Sequence, residues 1–268
     1  MTRATSRHNP RLAAAARLLA SSRDRRKSGR CVLEGEHLAA VYWDRHGPPE
    51  TLIVSEDAMR RDTVQRLIAR DPAHALIVPV ATFSELATLP ADVGVLAVVP
   101  TPTPQIGPAG DFCVLLEDLQ DPGNVGSILR SAAAAGVQHV LMSKHCAFAW
   151  SPKVLRAAQG AHFMLEIYED VDLAAWARAY AEAGGRVVVT SVKGGEPLYS
   201  VPLAGRVAFA FGNEGAGVTQ ALARAATSHA TIPMPGGMES LNAAAAAAVC
   251  LFEAVRQRSA GGGAHRAS

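Results

Sequence analysis

The sequence predicts a two-part α/β protein, with a small α/β domain followed by a larger one built on a buried parallel sheet. Nearly continuous apolar runs such as ALIV, VGVLAVV, FCVLL, RVVV and VAFAF alternate with helical patterns, as in strands covered on both faces. One stretch interrupts the 268 residues, PTPTPQIGPAG (100–110), whose four prolines and two glycines make a semi-rigid linker. After it come three glycine-bearing polar turns, each between an apolar strand and a helix start. Such turns suit a site built where several strands of an open sheet end.

Asn9 to Ser22 (NPRLAAAARLLASS) reads as an N-capped, alanine-rich helix. CVLEG (31–35) is a strand entering a helix near Glu36 to Val41, and Glu50 to Ser55 is the next strand. An amphipathic helix over Ala58 to Arg70, the strand ALIVPV, a helix near Ser84 to Ala87 and the strand Val93 to Pro100 complete the first domain, residues 1–100. Beyond the linker (101–111), DFCVLLEDL opens a second domain spanning 112–258. Its order is helix 125–135, strand VQHVLM, helix 151–158, strand HFMLEIYE and helix 172–183, which Gly184 and Gly185 close. The strands RVVVTSV and RVAFAFG, a short helix after Gly217, the strand HATIPM and a helix from Leu241 to Arg258 follow. AGGGAHRAS (residues 260–268) reads as disorder, within a tail taken as 259–268.

At 49% hydrophobic and 19% charged, the composition is that of a globular protein with ample core. The net charge of +2 hides an uneven distribution, since nine Lys or Arg residues stand against Asp24 alone between Arg3 and Arg30. Such a block meets polyanions or is simply a solvated segment. Arg23, Arg25, Arg26, Lys27 and Arg30 are its candidate RNA contacts. The four cysteines (31, 113, 146 and 250) form no CxxC pair and no zinc spacing, so no metal is expected. The start MTRATSRHNPR lacks the apolar core of a signal peptide, and no long uncharged span could cross a membrane. A cytoplasmic location is the expectation.

The turns hold the chemistry. In DPGNVGSILRSA (121–132), Asn124 alone reads first as a helix cap. Arg130, among Ile128, Leu129, Ala132 and Ala133, calls for an anionic partner. In FGNEGAGVT (211–219), the flanking glycines leave Glu214 little cover, so it should face a ligand or the arginine. In IPMPGGMESLNAAAAAAVC (232–250), Ser240 and Asn242 precede an unbroken alanine run.

These three segments, in this order and spacing, resemble the three motifs of the SpoU (TrmH-type) RNA 2′-O-ribose methyltransferases of the SPOUT superfamily. The match runs from about Phe112 to Arg258. The N-terminal part, with NPR, the basic run and VLEG, is similar to a ribosomal-protein-like substrate-binding domain in one branch of that family. The resemblance implies a deep trefoil knot, a feature nearly absent from other folds. It also implies S-adenosyl-L-methionine in the knotted loops and a homodimer with sites at its interface. By motif position Arg130 is the catalytic arginine, Asn124 its partner and Glu214 the second-motif acid, with Ser240 and Asn242 the third-motif polar pair. Gly212, Asn213, Ile232, Leu241 and, more loosely, Thr190 fall at cofactor contacts. Relatives usually carry Val and Ser where this chain has alanines after Asn242.

The chemistry implied is in-line attack of a ribose 2′-oxygen on a sulfonium methyl. An arginine has a pKa above about 12, which disfavours it as general base and favours a phosphate clamp that stabilises the developing alkoxide. Glu214 and Asn124 would then hold the guanidinium. Two rival classes predict other features. A non-catalytic RNA-binding dimer would lack residues equivalent to Arg130 or Asn124. A dinucleotide oxidoreductase needs GxGxxG after its first strand, which Gly123 and Gly126 do not supply. Ribosomal and transfer RNA enzymes share these motifs, and the absence of a long basic C-terminal extension favours ribosomal RNA.

Overall fold

A computed structural model describes residues 2–4, 9–88, 93–105, 110–192 and 194–262. Two compact units emerge, one of Met1–Pro102 with Trp150–Phe163, the other of Thr103–Ala149 with Met164–Ser268. The sequence reading ran the second domain unbroken through Trp150–Phe163, so the return of this segment to the first unit is new. Of the expected linker, residues 106–109 lie outside the described residues.

The first unit contains a five-stranded sheet of β1 (Thr2–Arg3), β2 (Arg30–Glu34), β3 (Thr51–Ser55), β4 (Ala75–Val78) and β5 (Val95–Pro100) in the order β1-β4-β3-β5-β2. β5 is antiparallel to both β3 and β2, and the remaining pairings are parallel. Helix α1 (Pro10–Ala20) starts where the Asn9 side chain accepts from Arg11 N, and buries Leu12, Ala15, Leu18 and Leu19 against Val32, Ile53, Leu76 and Phe83. Helices α2 (Ser22–Ser28), α3 (Glu36–His46), α4 (Asp62–Arg70) and α5 (Val80–Leu86) follow. The helix expected over 58–70 is divided, because Ala58–Arg60 forms a 3-10 turn and Arg61 is extended before α4. Helix α7 (Pro152–Ala158) belongs to this unit, and Phe163 meets Tyr42 edge-on at 5.3 Å.

The second unit is a seven-stranded, all-parallel sheet. Its strands are β6 (Phe112–Leu116), β7 (His139–Met142), β8 (Glu166–Tyr168), β9 (Arg186–Thr190), β10 (Glu196–Pro197), β11 (Val207–Phe211) and β12 (Ser228–Thr231), in the order β10-β12-β9-β11-β6-β7-β8. The order reverses between β6 and β11, and in such sheets ligands bind beyond the carboxyl ends of strands near the reversal. One face packs on α8 (Leu173–Glu182) and α9 (Gln220–Ala225), with Leu115, Leu141, Tyr180, Val189 and Leu222 in the core. Helix α6 (Pro122–Ala134) packs on α10 (Ala243–Gly262), which also meets β11. The expected strand HFMLEIYE is only half strand. Gln159 and Gly160 take left-handed backbone (φ 51° and 90°), Ala161–Met164 forms a 3-10 turn, and β8 starts at Glu166. Likewise α10 continues to Gly262, through the first residues of the expected tail; 263–268 lie outside the described residues.

Candidate active site

The first site loop begins where the apolar strand β6 ends at Leu116. After β6 the Glu117 carboxylate is buried and accepts from Thr219 N (2.6 Å) and Thr219 Oγ1 (2.8 Å), tying the first loop to the start of α9. Asp118 adopts left-handed backbone (φ 54°), and its carbonyl accepts from Asn213 Nδ2 at 2.9 Å. Asp121 then caps α6 by accepting from Asn124 N at 2.7 Å, with Pro122 in the first turn. The cap expected of Asn124 is therefore supplied by Asp121, and the Asn124 side chain is left to bond elsewhere.

That side chain joins all three motifs. Its Nδ2 donates to Glu214 Oε1 at 3.0 Å, and its Oδ1 accepts from Asn242 Nδ2 at 2.9 Å. Asn242 Oδ1 in turn accepts from Ala244 N (2.9 Å) and Ala245 N (3.3 Å), capping α10. Glu214 also lies against the α6 N-terminus, within reach of Asp121 N (3.3 Å) and Gln120 N (3.5 Å). Partial burial alone would raise its carboxyl pKa. The bonds from Asn124 and these backbone groups outweigh that, and the carboxyl titrates below the usual range.

The second loop is closed by its own backbone. Asn213 N donates to Gly217 O (3.0 Å), Gly217 N returns a bond to Asn213 O (2.9 Å), and Asn213 Oδ1 accepts from Gly215 N and Ala216 N, both at 3.0 Å. A Cβ on Gly212 would overlap the backbone of Gly217 and Val218. Glycine is required there by the loop itself, before any ligand is considered.

Beyond β9, β11 and β12 lies a cavity of about 410 Å³, within the size range of small-molecule sites. Thr190, Gly212, Asn213, Ile232 and Leu241, the five residues expected at the cofactor, all line it, as do Glu214, Ser240 and Asn242. Sequence reasoning missed Val192, Met234, Ala243 and Ala246, so the alanine run both packs and forms cavity wall. It also missed Glu117 and Asp121, although the Asp-Pro pair ahead of a helical pattern is a capping signature.

Arg130 is elsewhere. It is exposed on α6, six residues past Asn124, hence about 9 Å along the helix and roughly 240° around it. Arg130 neither lines the cavity nor pairs with any described residue. The expected Glu214–Arg130 contact is absent because Glu214 is held by Asn124 and the helix end.

The basic segment of the first unit is also divided. Arg25 is buried and donates to the carbonyls of Leu18 and Leu19 (the latter at 3.1 Å), finishing α1; burial lowers its pKa. It is a structural residue, which corrects its assignment as an RNA contact. Arg30 pairs with Glu50 at 2.6 Å, both partly exposed, whereas Arg23, Arg26 and Lys27 lie exposed on α2. Cys31, Cys113 and Cys250 are unpaired and buried, and burial pushes each thiol up to about 12. Among the described residues no cluster of three His, Cys, Asp or Glu could hold a metal, and no helix is long and apolar enough to cross a membrane.

The family model for the SpoU rRNA methylase family matches residues 111–252. An uncharacterised tRNA/rRNA methyltransferase of Synechocystis is 30% identical over 267 residues, covering 95% of this chain and 93% of its own length. RlmP of Bacillus subtilis, a 23S rRNA guanosine 2′-O-methyltransferase, is 30% identical over 87% of this chain and 92% of its own. Among solved structures, the SpoU methyltransferase AviRb of Streptomyces viridochromogenes with AdoMet superposes with a TM-score of 0.83 at 27% identity, covering 94% of this chain and 100% of that one. An AdoMet-bound rRNA methyltransferase from Sinorhizobium meliloti gives 0.83 at 28% identity, covering 95% and 97%. The chain belongs to the SpoU rRNA methylase family.

Proposed function

We infer that this chain uses S-adenosylmethionine to methylate a ribose 2′-oxygen of ribosomal RNA. The observation that carries the reading is the meeting of three distant loops at Asn124, beside a cavity at the carboxyl ends of the central strands. Relatives named as 23S rRNA 2′-O-methyltransferases and a neighbour solved with AdoMet support it.

The cavity suits the cofactor. Val192, Phe211, Ile232, Met234 and Leu241 provide apolar wall for an adenine ring, and the loops 212–217 and 232–242 bring polar backbone to its rim. Bound there, S-adenosylmethionine supplies a sulfonium methyl as the electrophile. Asn124, Glu214 and Asn242 fix the loop ends, and the hydroxyl of Ser240, which lines the cavity, orients the ribose. Arg130 binds a phosphate bidentately and stabilises the alkoxide that develops, while solvent or a phosphate oxygen takes the proton.

Since Arg130 is remote from its own cavity, it serves the cavity of a partner subunit, and the working unit is a homodimer. The half-exposed Phe252 on α10 offers an apolar contact for that interface. Leu251, its neighbour on α10, is buried within its own chain. The family's trefoil knot, a cytoplasmic location and a metal-free reaction complete the reading. In the first unit Arg23, Arg26 and Lys27 contact RNA phosphates, with Arg30 contributing once it leaves Glu50.

The test is calorimetry with S-adenosylmethionine and competition by S-adenosylhomocysteine, followed by transfer of labelled methyl groups to deproteinised ribosomal RNA. Competitive binding and label recovered as 2′-O-methylnucleoside are expected. Absence of binding heat would remove the cofactor assignment, and label on a base would remove the ribose assignment.

A further inference from the structure

We propose that Lys144 and His145, in the loop after β7, form a second substrate contact in the catalytic unit, gripping the RNA strand beside the target nucleotide. The proposal rests on the methyltransferase reading above. β7 pairs with β6 in parallel, Met142 opposite Leu116, so this loop leaves the sheet on the same end as the α6 cap. It is two strands from β11 and its Gly212 loop, or about 10 Å at the usual strand spacing.

The loop is held rigidly. Ser143 Oγ donates to Asp118 Oδ1 (2.6 Å) and accepts from Asp118 N (2.8 Å). Cys146 Sγ bonds Leu116 O at 3.1 Å, and Ala147 N donates to Leu119 O at 2.7 Å. Through the Asn213–Asp118 bond, the same Asp118 anchors the loop that carries Glu214. Lys144 is thereby fixed relative to the site residues, although it makes no contact with them.

Despite this anchoring, Lys144 and His145 are both exposed and have no hydrogen bond or ion pair among the described residues. Asp118, the carboxylate that anchors the loop, is engaged by Ser143. Adjacent basic side chains on a mobile surface loop would be ordinary. Here four bonds hold the loop that carries an unpaired ammonium and an imidazole at the ligand-binding end of the sheet. A backbone phosphate suits the ammonium, and an unstacked base suits the imidazole ring. In the proposed homodimer the Arg130 that grips the phosphate at the reacting ribose comes from the other subunit; Lys144 would grip a neighbouring phosphate and set the strand's direction across the site.

The experiment compares Lys144→Ala, Lys144→Glu, His145→Ala and the control Arg178→Ala, which removes one charge from the middle of α8. Binding to deproteinised ribosomal RNA is measured as a function of salt, together with methyl transfer. Lys144→Ala should raise KM for RNA by about tenfold, as for loss of one charge-assisted contact, and flatten the salt slope by about 0.7 to 0.9. Lys144→Glu should go further, and His145→Ala should also weaken RNA binding. Single-turnover transfer at saturating RNA and affinity for S-adenosylmethionine should be unchanged. An unaltered salt slope in Lys144→Ala, or an equal change in Arg178→Ala, overturns the proposal. If the wild-type chain binds ribosomal RNA without methylating it, the methyltransferase reading fails, and the salt slope still decides whether Lys144 touches RNA. If it does not bind ribosomal RNA, both are overturned.

Discussion

Gly212→Ala separates two explanations of why a glycine stands at the head of the second loop. A ligand-contact role would make the glycine a matter of room for the cofactor. The structure gives another cause, since the added methyl would overlap Gly217 and Val218 of the same loop. Accommodating it opens the Asn213–Gly217 closure, with its two backbone bonds of 3.0 and 2.9 Å. At a net value near 1 kcal/mol for each bond, the loss is about 2 kcal/mol. For a unit of this size that corresponds to roughly 4–8 °C in Tm without any ligand. If the cofactor binds only the closed loop, reclosing it weakens affinity by about thirtyfold. Differential scanning calorimetry of the ligand-free protein and titration calorimetry with S-adenosylmethionine measure the two quantities. An unchanged ligand-free Tm with weakened binding would refute the loop-closure argument and restore the ligand-contact one.

Three further outcomes follow from the site. Arg130→Ala should keep the fold and cofactor affinity yet lose transfer by about 100-fold or more, and Arg130→Lys should recover little; mixing Arg130→Ala with a cavity-dead Gly212 variant should restore part of the activity if each site draws on two subunits, and no restoration would count against the shared site. The Glu214 carboxyl is held below its ordinary pKa, so its contribution is complete at neutral pH and is lost only as pH falls below the ordinary carboxylate range and through the depressed value; cofactor affinity that already declined between pH 7 and 6 would contradict this, because His is the side chain that ordinarily titrates there. Arg25→Ala should destabilise the first unit by about 1.5–3 kcal/mol, the range for a bond to a charged group, with the salt slope of RNA binding intact, whereas Arg26→Ala should flatten that slope; chemical denaturation and salt titration distinguish them.

Most strands were legible because they are apolar runs bounded by a break, and every strand of four or more described residues falls within or beside a run read from the sequence. β1 and β10, of two residues each, carry no pattern long enough to read. The cavity residues were legible through their motifs, yet the bonds among them were not. The family resemblance made Asn124 the partner of Arg130. In three dimensions the 240° between them sends Asn124 to Glu214 and Asn242, and Arg130 to the surface. Charge counting failed at Arg25 for a related reason, because a basic run coiled into a short helix turns one of its members inward. The return of Trp150–Phe163 to the first unit depends on tertiary packing, such as Phe163 on Tyr42, which no local signal encodes.

The central claim is methylation of ribosomal RNA at a ribose. Mapping 2′-O-methyl marks across total RNA from cells with and without this gene tests it most directly. The account predicts that a mark in 23S rRNA disappears with the gene and returns with the wild-type chain but not with Arg130→Ala. A mark lost from transfer RNA instead would contradict the substrate, and an unchanged map would contradict the activity.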